Sequence, residues 1–385
     1  MKPASIPDYR EAARRRLPHF LFEYIDGGSY AEQTLRANVE DLQRIKLRQR
    51  VMRDVSKIDL SVNLFEQNWA LPVALGPIGL SGLNARRGEV QAACAAEAAG
   101  VPFTLSTVGA CSLTEVHAGV AKPFWFQLYM IRDRAFMRDL IDQAQALKCS
   151  ALVFTVDMPV PGTRYRDYRS GLAGAANFAG QMGRFLQAAM KLDWAIDVGL
   201  LGRPHTLGTV APVLKGKTGI EDFFAWMGAN FDPTVTWDDL RWVRERWKGP
   251  LILKGILDAD DARQAAALGA DGVVVSNHGG RQLDGVLSTA RALPRIADAV
   301  GDQITVLADG GVRSGLDVAR MLALGARGVL LGRAWAYALA GRGGAGVTHI
   351  LELISAELRV ALALTGVSAA RDLNRDALEY LSEND

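Results

Sequence analysis

The segment Ser276-Asn277-His278-Gly279-Gly280-Arg281-Gln282 follows the apolar run Gly272-Val273-Val274-Val275 and sets an imidazole and a guanidinium three residues apart at the end of what reads as a strand. A histidine near its ordinary pKa can accept a proton at neutral pH, and an arginine can hold a carboxylate through two parallel hydrogen bonds. Together they suit an acid substrate that gives up a proton. Gly279 and Gly280 carry no Cβ, so the backbone between the two can turn tightly or lie close to a flat cofactor. Polar turn residues at a strand end are the plain alternative, and it weakens because the rest of the chain supplies partners.

Those partners stand at the ends of other apolar runs. They are Ser106 and Thr107, Gln127 and Tyr129, Thr155 and Asp157, and Lys254. Asp157, inside Phe154-Thr155-Val156-Asp157-Met158-Pro159, is costly to bury unpaired, and His278 is its natural partner. An aspartate bonded to an imidazole fixes the tautomer and stabilises the protonated ring. Two later runs end in Ala308-Asp309-Gly310-Gly311-Val312-Arg313 and Leu331-Gly332-Arg333, offering glycine amides and two arginines where barrels commonly bind phosphate. A phosphorylated cofactor is implied. Gly341-Arg342-Gly343-Gly344-Ala345-Gly346 spells a dinucleotide fingerprint, but it follows an Ala-rich helical stretch rather than a strand and is rejected as one. A metal centre is not expected, since the 5 histidines show neither HxH nor HxxxH spacing and no thiolate cluster exists.

The elements that must position these side chains form a βα repeat. Strand candidates are Leu71–Gly76, Phe103–Thr107, Trp125–Met130, Leu152–Asp157, Leu251–Gly255, Gly272–Ser276, Thr305–Asp309 and Gly328–Gly332. Helix-length segments lie between most of them, among them 87–100, 237–247, 258–268 and 314–324. Eight such strands predict an α/β fold, a (β/α)8 TIM barrel, with a doubly wound sheet as the alternative. The expected organisation is a single domain: an N-terminal helical cap over 1–70 with helices near 9–17 and 20–26, a barrel over 71–340, and C-terminal helices over 341–385. The segment 158–235 after strand four is far longer than an ordinary βα loop and predicts an insertion with a role of its own.

Composition narrows the class of function. The 385 residues carry 49% hydrophobic side chains, ample for a large core. Lys plus Arg number 44 against 42 Asp plus Glu, a balance too even to argue for nucleic acid. No apolar h-region follows Met1 and no run of 18 uncharged apolar residues occurs, so neither a secretory signal nor a membrane span is expected. Cys94, Cys111 and Cys149 form no CxxC pair and read as buried small hydrophobes in a reducing compartment.

Inside the insertion, Met182, Phe185, Leu186, Ala189, Met190 and Trp194 recur at helical spacing, with Arg184, Gln187 and Lys191 elsewhere around the helix. One reading packs this stripe on the barrel or on a second subunit. The other lays it on a membrane surface, since a basic-edged apolar helix with Trp and Phe suits a bilayer.

With these residues in view, the chain resembles the FMN-dependent L-2-hydroxy acid dehydrogenase and oxidase family, whose Ser-Asn-His-Gly-Gly-Arg-Gln signature is present in full. Phe20-Leu21-Phe22-Glu23-Tyr24, Ala85-Arg86-Arg87-Gly88-Glu89-Val90-Gln91-Ala92-Ala93, Trp125-Phe126-Gln127-Leu128-Tyr129 and Lys254-Gly255-Ile256-Leu257-Asp258 extend the likeness over nearly the whole length, and most resemble the lactate-oxidising bacterial respiratory branch. The resemblance implies that His278 is the base, Asp157 its orienting partner, and Arg164 with Arg281 the clamp on the substrate carboxylate. Tyr24 and Tyr129 would bond the substrate. Lys254 would stand against flavin N1 and the C2 carbonyl, where a fixed positive charge stabilises the anionic reduced ring. Ser106, Gln127, Thr155 and Ser276 would contact the isoalloxazine or ribityl groups, and Asp309, Gly310, Gly311, Arg313, Gly332 and Arg333 the ribityl chain and phosphate.

The implied reaction oxidises L-lactate or a similar 2-hydroxy acid with FMN and passes electrons to the respiratory quinone pool, from a peripheral position on the cytoplasmic side of the inner membrane. A homo-oligomer is implied too. Two positions depart from the family pattern. Gly76 stands where many members carry alanine, which opens the choice between quinone and oxygen as acceptor. Val108 stands where some place an aromatic ring over the substrate, which opens the choice between lactate and a mandelate-type acid.

Overall fold

The computed structural model describes residues 2–174, 177–203, 207–214 and 220–379, with 220–224 described by backbone alone. Its centre is an eight-stranded parallel sheet: β1 (Val73–Leu75), β2 (Thr104–Ser106), β3 (Trp125–Tyr129), β4 (Ala151–Thr155), β5 (Leu251–Ile256), β6 (Gly272–Val275), β7 (Thr305–Ala308) and β8 (Gly328–Leu331). Neighbours pair in the order β1-β8-β7-β6-β5-β4-β3-β2. A parallel bridge between Leu75 and Phe103, with Leu75 N–H donating to Pro102 O at 2.8 Å, closes β2 onto β1. The sheet is therefore a (β/α)8 barrel, and the doubly wound alternative falls away.

The interior follows from a two-residue period, because alternate side chains of a strand point to the same face. Ala74, Trp125, Ala151, Val153, Ile252, Val274, Leu307 and Leu330 form a buried apolar cluster inside the barrel. One step further along the same face stand Gln127, Thr155, Lys254, Ser276 and Asp309. Strands β3 to β7 thus change from apolar filling to polar function as they near their carboxyl ends. A hairpin of Val62–Leu64 and Gln67–Trp69 plugs the opposite mouth, its Trp69 ring meeting Trp125 edge-on at 5.4 Å.

The expected cap is present as α1 (Ile6–Arg16), α2 (His19–Asp26) and α3 (Gln33–Arg44). Helix α1 begins before Tyr9 because Ser5 and Asp8 make a capping box that satisfies its first amides. The C-terminal helix Arg333–Thr365 is broken by non-helical backbone at Arg342 and Gly343, inside the glycine segment rejected above as a nucleotide loop. Past Thr365 come two 3₁₀ turns and a strand, Leu378–Glu379, pairing with Lys46–Leu47, in place of the further helices expected there. Residues 380–385 lie outside the described residues. Cys111 and Cys149 are buried as expected; Cys94 is exposed, on the outer face of the Gly88–Ala98 helix with its thiol against Gly119 O at 3.2 Å.

The insertion forms the expected helix at Phe178–Ala189, but its polarity runs opposite to a packing stripe. The polar side chains face the body: Gln187 accepts from Phe20 N–H at 3.0 Å and donates to Ser170 O at 3.2 Å, Arg184 donates to Gly171 O, and Lys191 to Arg15 O. Met182, Phe185, Leu186 and Met190 are exposed, followed by exposed Leu192, Ile196, Leu200 and Leu201. Within this chain the stripe does not pack on the barrel. Trp194 departs from it, being buried in the separate Leu192–Trp194 turn with its indole N–H on Leu83 O at 2.7 Å. Among the described residues no helix is long and apolar enough to cross a membrane.

Candidate active site

At the carboxyl ends of the strands His278 Nδ1 lies 2.9 Å from Asp157 Oδ1. Asp157 stands two residues past β4, and His278 two residues past Ser276, with backbone in the left-handed region at φ 56°. A non-glycine residue holds that conformation only when its surroundings fix it. Here the His278 amide donates to Ser276 Oγ at 3.1 Å, and Gly279 and Gly280 continue the left-handed turn. Burial pushes the imidazole below its ordinary pKa against the pull of Asp157, with Lys254 and Arg164 adding to the fall. The ring is therefore mainly neutral at pH 7. Burial works against the Asp157 carboxylate, yet His278 and Lys254 together hold it below the usual range.

Arg164, from the start of the insertion, and Arg281 line the same cleft. Arg281 is steadied by Tyr24 O at 2.5 Å and Gly27 O at 2.8 Å and lies over the Tyr24 ring, its Cζ 4.9 Å from the centroid. Arg164 donates to Arg281 O at 3.3 Å and has only a 3.8 Å approach to Asp167. Burial and the Arg281 charge bring its pKa down to about 10, so the Arg164 guanidinium stays charged at neutral pH beside a second guanidinium. Such a pair favours an anion between them. Tyr24 and Tyr129 line the cleft beside them, and Tyr129 is ring-packed on Phe231 at 5.0 Å.

Across the cleft Lys254 Nζ bonds Ser276 Oγ at 2.8 Å and Asp309 Oδ2 at 2.9 Å. Burial alone would neutralise it, but Asp309 and Asp157 raise its pKa and keep it charged. Ser106, Gln127 and Thr155 form a chain, Ser106 Oγ to Gln127 Oε1 and Gln127 Nε2 to Thr155 Oγ1, each 3.0 Å. Thr155 reaches the cleft wall. Ser106, Gln127 and Ser276 are buried beside this wall, with Gln127 bonded to Thr155 and Ser276 to Lys254. At the far end Gly310 and Gly311 turn with φ 93° and 83°, packed on Thr289 and on the backbone of Asn38 so closely that no side chain fits. Gly332, Arg313 and Arg333 stand beside them. The Arg333 guanidinium is held by three carbonyls, Ile25 O at 2.9 Å and Gly27 O and Gly279 O at 2.8 Å, and among the described residues no carboxylate pairs with it directly; burial brings its pKa down to about 9.

Residues 13–380 match the family model of FMN-dependent dehydrogenases. This chain belongs to that family. It is 65% identical over 97% of its length to an L-lactate dehydrogenase of Caulobacter sp. (strain K31), covering 98% of that protein, and 58% identical over 99% of its length to one from Acinetobacter baylyi, also covering 98%. Among solved structures it is similar to a monotopic membrane protein, (S)-mandelate dehydrogenase, at TM-score 0.93 and 33% identity, covering 98% of this chain and all of that one. It is similar as well to mandelate oxidase with (S)-4-hydroxymandelic acid, at TM-score 0.84 and 37% identity, covering 97% of this chain and 98% of that one.

The family's cofactor, FMN, fits what this cleft offers. The side-chain-free turn at Gly310–Gly311 and the uncompensated Arg333 charge suit a phosphate, and the buried cation of Lys254 suits an electron-accepting ring. One continuous cleft runs from the arginine pair and Tyr24 to the Gly310–Gly311 turn and Arg333, so an acid and a phosphorylated cofactor would share it.

Some residues that serve this FMN-dependent dehydrogenase site could not be found by strand-end reasoning. Asn277 and Asn38 exchange two amide bonds of 2.8 Å, tying the signature turn to α3, while Asn277 also accepts from Gly280 N–H at 3.1 Å. Asn277 was in view but unassigned; nothing near Asn38 marks it. Met227, from the Ile220–Asn230 helix, reaches the cleft because the insertion ends on β3, with Arg132 N–H on Asn230 O at 2.8 Å. Asp26 joins Arg10 at 2.5 Å, Arg166 at 2.9 Å and Tyr337 at 2.8 Å, and so fixes the helix that carries Tyr24.

Proposed function

We propose that this protein oxidises L-lactate to pyruvate and passes the electrons to a membrane quinone. The observation that carries the chemistry is the tie of His278 Nδ1 to Asp157, which leaves Nε2 as the other ring nitrogen in a cleft lined by Arg164 and Arg281. The lactate dehydrogenases similar to this chain supply the substrate.

Bound in the cleft, FMN supplies the two-electron acceptor. Arg281 and Arg164 hold the lactate carboxylate, which fixes the α-carbon relative to His278. Tyr24 and Tyr129 bond the substrate oxygens. The neutral His278 Nε2 takes one proton, and Asp157 stabilises the resulting imidazolium while holding its orientation. Lys254, kept charged by Asp309, balances the negative charge that develops on the cofactor side.

Replacing His278 by Gln is expected to leave FMN bound and abolish its reduction by L-lactate, read as loss of bleaching of the visible flavin band in an anaerobic cuvette. Undiminished bleaching would remove His278 from the reaction. A mandelate-type preference is the second reading, favoured by the likeness to (S)-mandelate dehydrogenase and by Val108 and Gly79 leaving that wall without an aromatic side chain. Comparing kcat/KM for lactate and mandelate decides between them.

The exposed stripe from Met182 to Leu201 supports a peripheral seat on the inner membrane, where quinone is available. An apolar face of this kind on a helix whose polar side is already bonded to the body suits the bilayer boundary.

A further inference from the structure

Asp157 presents a puzzle that the dyad alone does not solve. Its Oδ2 is buried and, among the described residues, has no hydrogen-bond partner, although a carboxylate has several acceptor sites. A carboxylate with one free oxygen can rotate away from its single partner unless something else blocks it.

What packs there is the backbone of Gly255. A Cβ built on this residue would lie 2.5 Å from Asp157 Cβ, 2.5 Å from its Cγ and 2.8 Å from its Oδ2. Gly255 has φ 110°, and the β5–β6 pairing shifts register across it: Lys254 pairs with Val274, and Ile256 with the next residue, Val275. It is the extra residue of a β-bulge, a device that re-aims side chains beside active sites. On one side the bulge leaves Lys254 pointing inward to Ser276 and Asp309; on the other it brings bare Cα against the Asp157 carboxylate. Val156 N–H, just before Asp157, donates to Lys254 O at 2.9 Å, so the two strands are locked where the packing occurs.

We infer that Gly255 is the positioning residue of the dyad: its missing side chain is the space in which the Asp157 carboxylate is held against His278, by packing rather than by a second hydrogen bond. The inference rests on the Asp157–His278 reading above and adds to it a residue outside the lining of the cleft.

The test is a double-mutant cycle in the FMN-loaded enzyme, with Gly255→Ala and Asp157→Ala made singly and together. Strain from the backbone conformation is the same in both backgrounds, whereas the collision exists only when Asp157 is present. Gly255→Ala alone is expected to lower kcat about 30- to 100-fold with FMN retained, and to add no more than about threefold to Asp157→Ala. It should also move the acid limb of the kcat/KM profile to lower pH, because an imidazole separated from its carboxylate is easier to deprotonate. If Gly255→Ala fails to fold in the native background but folds beside Asp157→Ala, the same coupling has been read through stability. Equal losses in both backgrounds, or failure to fold in both, would overturn the inference and leave Gly255 a backbone requirement only. If Asp157→Ala itself retains full turnover, the dyad reading has failed instead, a result distinct from the others.

Discussion

The cleft concentrates buried cations whose partners are mostly carbonyls, and this sets what single residues should do. Arg164 keeps its charge at neutral pH and Arg281 is steadied by the Tyr24 and Gly27 carbonyls, so an anionic substrate gains from both. Arg281→Lys keeps a charge but loses the planar fork and the contact over Tyr24. Its KM for lactate is expected to rise about tenfold or more, with kcat changing less, in steady-state kinetics. His278 gives the pH dependence. As a base it must be neutral, and its pKa is lowered below 6.5 chiefly by burial. Rate is therefore retained above that lowered value and lost as pH falls through it, so kcat/KM measured from about pH 5 to 8 should be flat at neutrality with its acid limb below 6.5. An acid limb above 7 would contradict this electrostatic account.

Among the elements, α2 is held by a charge cluster that ties the cap, the insertion and the C-terminal helix together. Burial alone would raise the Asp26 pKa, but Arg10, Tyr337 and Arg166 bring it to about 2 from 3.8. A depressed carboxylate stabilises the fold fully above its unfolded value and loses that contribution as pH falls from near 3.8 through about 2. Asp26→Asn should cost about 2 kcal/mol of stability at pH 7 by chemical denaturation, and raise KM because Tyr24 shares the helix. The insertion offers a second prediction. Phe185→Glu with Met190→Glu should release the protein from anionic lipid vesicles without loss of turnover on a soluble acceptor, whereas cosedimentation unchanged from the parent would assign the stripe to contact between subunits. Point substitutions suit this better than deletion, because Trp194, Gln187 and Lys191 in the same segment anchor it to the body. The stripe itself was legible from helical spacing; its outward direction was not, since spacing tells which side chains share a face but not which face the fold covers. Trp194 shows the limit, matching the period while belonging to another turn.

At the level of the molecule, the barrel explains why so much of the site could be read from strand ends. Parallel strands deliver their carboxyl termini to one mouth, so polar residues two steps beyond apolar ones converge without any further information. His278, Asp157, Lys254, Arg281 and the Gly310–Gly311 turn were all found that way. The contributions from outside the repeat, Asn38 from the cap and Met227 from the insertion, were hidden because their position depends on long-range docking that no local pattern records. Gly255 was hidden for another reason: its function is the side chain it lacks.

The central claim, that this cleft oxidises L-lactate and hands the electrons to quinone, is tested most directly by an anaerobic visible spectrum of the purified FMN-loaded protein titrated with L-lactate, then exposed separately to a quinone analogue and to air. The account predicts bleaching of the flavin band by L-lactate and recovery with the quinone much faster than with air. No bleaching by L-lactate would contradict the substrate, and recovery as fast in air as with quinone would contradict the acceptor.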